Sequence, residues 1–223
     1  MPHLVLLGDS IFDNARYTSG DPDVVSQVRR FLPSGWSASL SAIDGSTTDN
    51  VAGQMQHLPK EATHLVLSVG GNDALMQASS LGISLFGVPG TPTTGTLETL
   101  ADISEDFETR YRAAVEACLR PRLPLILCTV YNGCFPDKAY QRIASVGLTI
   151  FNDVILRVAI EYGLPVIDLR LVCSDPRDYA NPIEPSSAGG ERIARVIATL
   201  VTANDAFARS TRIVGPFRDG TKT

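Results

Sequence analysis

Histidine is scarce in this 223-residue chain: His3, His57 and His64 are the only three, and none follows position 64. Chemistry in the rest of the chain that needs a base near neutrality must find it in another side chain. Basic charge is also thin, with 19 Lys and Arg against 24 Asp and Glu and a net charge of -5. That balance excludes a basic footprint for nucleic acid and a polybasic segment for an anionic membrane. Cysteine is limited to Cys118, Cys128, Cys134 and Cys173, whose spacing matches no metal-ligand pattern. A reduced, cytoplasmic setting is the expectation. No stretch reaches the roughly 18 apolar residues of a spanning helix. The first strand begins without a charged leader or a small-residue cleavage site, so neither a secretory signal nor a membrane span is expected.

What is present is a core-forming chain, 44% apolar, of a length suited to one domain. Apolar runs at 4–7, 36–43, 65–69, 125–130 and 165–169 read as strands. Between them lie helical patterns over about 24–32, 49–58, 97–119, 139–162 and 188–202. A further helix is expected directly after Ser10. Strands alternating with helices predict a parallel sheet covered on both faces, and right-handed crossovers make it a three-layer α/β/α sandwich. The expected sheet has five strands in the flavodoxin-like order 2-1-3-4-5. The domain is expected over 1–204. The segment 205–223 lacks periodicity and reads as a frayed or surface-packed tail. Residues 86–96, rich in Pro, Gly and Thr, read as a long loop that shapes a binding site.

The first apolar run ends in Gly8-Asp9-Ser10. Open α/β sheets build their sites at the carboxyl ends of the strands, and a serine hydroxyl held there suits nucleophilic acyl transfer. Taken alone, Ser10 and Asp13 also fit a Ser-x-x-acid helix cap. Three more segments follow in order: Asp44-Gly45-Ser46-Thr47-Thr48 after the second strand, Gly70-Gly71-Asn72-Asp73 after the third, and Asn181-Pro182-Ile183-Glu184-Pro185-Ser186 before the last helix. Together they resemble the SGNH or GDSL-type hydrolases, a flavodoxin-like group of serine esterases and lipases. The resemblance spans 3 to about 202. It implies Ser10 as nucleophile, with an oxyanion hole made by the Ser10 N–H, the Gly45 N–H and the Asn72 side-chain amide. Independently, a tetrahedral intermediate needs preorganised donors aimed at its developing negative oxygen. Asparagine supplies one that does not titrate.

The chain departs from the family in the fourth block, where aspartate-any-any-histidine is usual. Here Asn181 and Glu184 stand at those positions. His3 and His64 begin strands, at the opposite end of the sheet from Ser10, and His57 ends a helix. Two readings follow. In the first, Glu184 is the general base, its pKa raised from about 4.3 by burial, and Asn181 orients it without like-charge repulsion. A glutamate base becomes neutral on taking the proton, so it needs no acid behind it. In the second, the machinery is impaired and the fold binds an ester or carbohydrate ligand. A nucleotide binder lacks a Gly-x-Gly-x-x-Gly or P-loop sequence after any strand.

Asp9 and Asp73 read as structural, holding the turns that carry Ser10 and Asn72. Tyr131, Phe135 and Tyr179 fall in loops at the site end, as pocket lining or as packing. Asp9, Asp13, Asp73 and Glu184 have no spacing that specifies a metal, and no metal or cofactor is assigned. The partner expected is a small-molecule ester, and nothing in the sequence sets the oligomeric state.

Overall fold

The computed structural model describes residues 1–78, 96–203, 207 and 211–216. The elements run β1 (His3–Gly8), α1 (Val24–Phe31), β2 (Ser37–Leu40), α2 (Val51–Gln56), β3 (His64–Ser68), α3 (Gly71–Gln77), α4 (Thr96–Leu119), β4 (Leu125–Cys128), α5 (Lys138–Tyr162), β5 (Val166–Ile167), α6 (Leu169–Val172), α7 (Ser187–Val201) and β6 (Ile213–Val214). All strand pairs are parallel, in the order β2-β1-β3-β4-β5-β6. The three-layer parallel architecture matches the expectation, but the sheet has six strands, not five. The sixth comes from the segment expected to be a tail: Val166 donates to Arg212 O at 2.7 Å and Asp168 to Val214 O at 2.8 Å.

The strands are apolar throughout because both faces are covered. Alternation divides them. Leu4 and Leu6 pack with α1 and α7 on one side, while Val5 and Leu7 pack with α4 and α5 on the other. Asp23 caps α1 by accepting from Ser26 N at 2.9 Å, and Gly163 stops α5 in the left-handed conformation. Among the described residues α5 is long and apolar enough to cross a bilayer by length and composition alone. Its buried face, with Phe151, Val154, Ile155 and Val158, belongs to the core packed on α4 and the sheet.

Two other expectations are corrected. No helix starts directly after Ser10; a turn leads to a short 3-10 helix at Ala15–Tyr17. The Phe12 and Asp13 amides both donate to Asp9 O, which makes one turn and no more. The second strand is shorter than 36–43, because Ser41 N and Ala42 N both donate to Leu6 O and break the ladder. Of the loop read at 86–96, residues 86–95 lie outside the described residues and Thr96 opens α4.

Candidate active site

The site begins with a backbone requirement. Gly8 ends β1 at φ 125°, and a Cβ there would lie 1.7 Å from Ser68 O, so only glycine fits. Its peptide is held from both sides by a buried glutamine: Gly8 N donates to Gln54 Oε1, and Gln54 Nε2 donates to Gly8 O, both at 2.8 Å. Sequence reasoning missed Gln54, whose one signal was a polar residue on the apolar stripe of its helix. Gln54→Leu orphans both groups, at roughly 1–3 kcal/mol each. Thermal denaturation should show a melting point several degrees lower, at about 2–4 °C per kcal/mol for a chain of this size.

Beyond Gly8 the chain turns and presents Ser10, 7% exposed. Its Oγ donates to Glu184 Oε1 at 3.1 Å. Glu184 is 6% exposed, and its Oε2 is buried without a hydrogen-bond partner among the described residues. Burial, opposed by the Ser10 hydrogen bond and helped by the negative charge of Asp44, pushes the Glu184 carboxyl up to about 7. Asp9 is buried beside it and accepts from Ile11 N at 3.1 Å. Burial in the first place, with the nearby charges of Glu184 and Asp73, pushes its carboxyl up to about 8. The shift favours the neutral form of Asp9 and so lessens the negative charge next to the serine.

Glu184 is delivered by a tight loop clamped at several points. Ala180 N donates to Glu184 O at 2.9 Å. The Tyr131 hydroxyl donates to Ile183 O at 2.6 Å, Cys134 N to Pro182 O at 2.8 Å, and Asn14 Nδ2 to Pro185 O at 3.2 Å. Behind the loop α7 approaches so closely that a Cβ on Gly189 would lie 2.1 Å from Asp178 O. The expected role of Asn181 is corrected. Its exposed side chain accepts from Ile183 N and Glu184 N, both at 3.0 Å, so it caps the turn and does not touch the carboxylate.

The second and third sequence blocks are tied together. Asn72 Nδ2 donates to Ser46 O at 2.9 Å and makes no second hydrogen bond among the described residues. Asp73 accepts from Thr48 N at 3.1 Å and from Thr48 Oγ1 at 2.6 Å, a structural role. Asp13 caps no helix; it accepts from Asp44 N at 2.9 Å and fixes the loop bearing Gly45. The Ser10 and Gly45 amides make no hydrogen bond to any described residue. A crevice beyond the carboxyl ends of β3 and β4 is lined by Asp9, Ser10, Asn72, Tyr131, Phe135 and Glu184, among others. Gly45, Asn181 and Tyr179 are not in its wall. Tyr179 instead packs edge-on against Tyr131, centroids 5.2 Å apart.

No histidine lines the crevice. His3 bonds Ser37 and Ser39 at the amino ends of the strands, and His64 stacks near Trp36. Among the described residues no three His, Cys, Asp or Glu side chains gather as metal ligands. All four cysteines are free.

A Ser–carboxylate pair thus lies buried at the carboxyl ends of a doubly covered parallel sheet. The profile of the GDSL-like lipase/acylhydrolase family matches residues 6–192, and the chain belongs to that family. Its fold is shared by solved lipolytic proteins and esterases. An extracellular lipase from Streptomyces rimosus superposes with a TM-score of 0.63 at 16% identity, covering 91% of this chain and 100% of the other. A GDSL lipolytic protein from Veillonella parvula gives 0.65 at 14%, covering 92% and 100%. The acetylxylan esterase of Geobacillus stearothermophilus, as a catalytic mutant, gives 0.61 at 16%, covering 91% and 94%. No curated protein matches the chain in sequence.

Proposed function

We propose that this chain hydrolyses esters through a Ser10 acyl-enzyme, with Glu184 as the general base in the place of a histidine. The observation that carries the reading is the 3.1 Å hydrogen bond from Ser10 Oγ to a carboxylate titrating near neutrality. Ser10 Oγ attacks the ester carbonyl carbon while its proton passes to Glu184 Oε1. Ser10 N–H and the Asn72 amide, both in the crevice wall, are the donors for the oxyanion, and Gly45 N–H, outside that wall, is the third that the family resemblance implies; none of the three is fully committed among the described residues. Collapse of the intermediate expels the alcohol, which takes its proton from the now neutral Glu184. Water then attacks the acyl-enzyme with Glu184 again accepting the proton, and Ser10 is regenerated.

Glutamate suits this environment for a physical reason. A histidine base becomes a cation and gains from an acid behind it. Glu184 becomes neutral, and an uncharged acid sits comfortably in a buried site. The exposed Asn181, bonded only to backbone, has no charge to balance. The free cysteines favour a reducing, cytoplasmic location.

Active-site labelling tests the nucleophile directly. A fluorophosphonate should add once to the wild type, with peptide mass spectrometry placing it on Ser10, and should not add to Ser10→Ala. Absence of an adduct together with unchanged ligand affinity in Ser10→Ala favours the alternative, a binding protein on the same fold.

A further inference from the structure

Five acidic side chains are buried among the described residues, and the protein itself holds three of them. Asp168 pairs with Arg170 at 2.6 Å and Asp178 with Arg192 at 3.2 Å, while Asp73 accepts from the Thr48 amide and hydroxyl. The other two, Asp9 and Glu184, both line the crevice at Ser10, and neither meets a cation among the described residues. No described Lys, Arg or His stands in the crevice wall. Burial raises both carboxyls, and the charges that act on them are negative: Asp44 on Glu184, and Glu184, Asp73 and Asp44 on Asp9. Residues 79–95, which lie outside the described part, include no Lys, Arg or His in their sequence. Each carboxyl also keeps an oxygen without a partner among the described residues. For Glu184 it is the buried Oε2. Asp9 accepts from Ile11 N on Oδ1, and its Oδ2 lies beside Gly71, 3.9 Å from where a Cβ of that residue would sit. Aromatic side chains stand in the same wall: Tyr131, Phe135, Tyr140 and Phe151. Phe135 and Tyr140 meet edge to face with centroids 4.6 Å apart, and Tyr131 is fixed by its hydroxyl on Ile183 O.

We infer that this crevice selects esters that carry an ammonium group, and that Asp9 is the counter-ion for it. The inference deepens the proposed esterase reading and rests on it. A buried carboxylate is costly until a countercharge arrives, and here the ligand is the one source of that charge among the groups that line the crevice. Aromatic rings attract an organic cation through their faces. Asp9 and not Glu184 takes the ammonium, because a cation held on Glu184 would favour its ionised form and weaken it as a base for Ser10. A divalent metal ion fits less well. Calcium and magnesium take about six or more oxygens, and among the described residues no three acidic, His or Cys side chains gather.

The test compares two esters of one shape and different charge, acetylcholine and 3,3-dimethylbutyl acetate. In the wild type kcat/KM should favour acetylcholine by roughly tenfold or more, the equivalent of about 1.4 kcal/mol. Asp9→Asn should bring the ratio of the two close to one. The ratio is read within each variant, so a general loss of activity does not imitate the result. Tetramethylammonium chloride should inhibit p-nitrophenyl acetate hydrolysis competitively in the wild type, and sodium chloride at the same concentration should not. That readout does not depend on how well the variant folds. Equal rates for the two esters, in protein whose activity depends on Ser10, overturn the inference. So does a preference that survives in Asp9→Asn, or an absence of inhibition by tetramethylammonium. Calorimetry of choline with Ser10→Ala separates the two claims. Choline binding that a further Asp9→Asn change abolishes, when the wild type hydrolyses neither ester, sustains the cation site and overturns the esterase reading. Ser10-dependent turnover with neither choline binding nor a preference for the cationic ester does the reverse.

Discussion

Ser10→Ala is expected to lower kcat for p-nitrophenyl ester hydrolysis by a factor on the order of 10⁴–10⁶, the scale seen when a catalytic serine is removed from a triad enzyme. If Gly45 and Asn72 serve as the proposed oxyanion donors, a residual rate on the order of 10³–10⁴ over water is expected by the same precedent. The side chain is 7% exposed and its one side-chain hydrogen bond is to Glu184, so its loss should leave the melting point within a few degrees. Steady-state kinetics beside a thermal melt checks both. An unaltered rate in Ser10→Ala removes the serine from the mechanism.

The second large effect is on pH dependence. A carboxylate base works only when ionised, and burial moves Glu184 from 4.5 to about 7. Below that value kcat/KM should fall tenfold per pH unit, and above it should level off. At pH 5 the rate should be roughly one hundredth of the plateau, from the ionised fraction alone. Glu184→Gln should lower the plateau toward the upper end of the 10²–10⁴ range of general-base contributions and remove the inflection. A double variant with Ser10→Ala should be no slower than Ser10→Ala alone, since the pair acts as one unit. Acid loss of activity is not loss of fold through these groups. Glu184 and Asp9 have folded pKa values above their unfolded ones, so their contribution to stability is fully present below about 4 and is lost as pH rises through about 7 and 8. Activity and this part of stability therefore run in opposite directions across the neutral range.

The strands and the carboxyl-end location of the blocks were legible because both follow from local pattern. Leu4 to Leu7 is apolar at every position and Gly8 breaks it, and the resemblance of the Asn181-to-Ser186 block to the family's fourth block pointed to Glu184 as a partner of Ser10. The supports of the site were not legible. Gln54 serves a backbone group 46 residues away and Asn14 one 171 residues away, and neither distance leaves a local trace. The role of Asn181 turned on which acceptor its side chain finds, a backbone turn and not the carboxylate. Helix after Ser10 failed because a single capped turn and a helical start share the same first residues. The sixth strand is two residues long, too short for any periodicity to show.

That short strand changes how the chain end should be treated. β5 is itself only two residues long, and without Ile213 and Val214 its outer donors, Val166 N and Asp168 N, face solvent as an open edge. Open edges recruit strands from other chains. The segment around 213 acts as a self-supplied cover, so shortening the chain at 204 should leave a site of intact chemistry on a molecule prone to pair with its own copies.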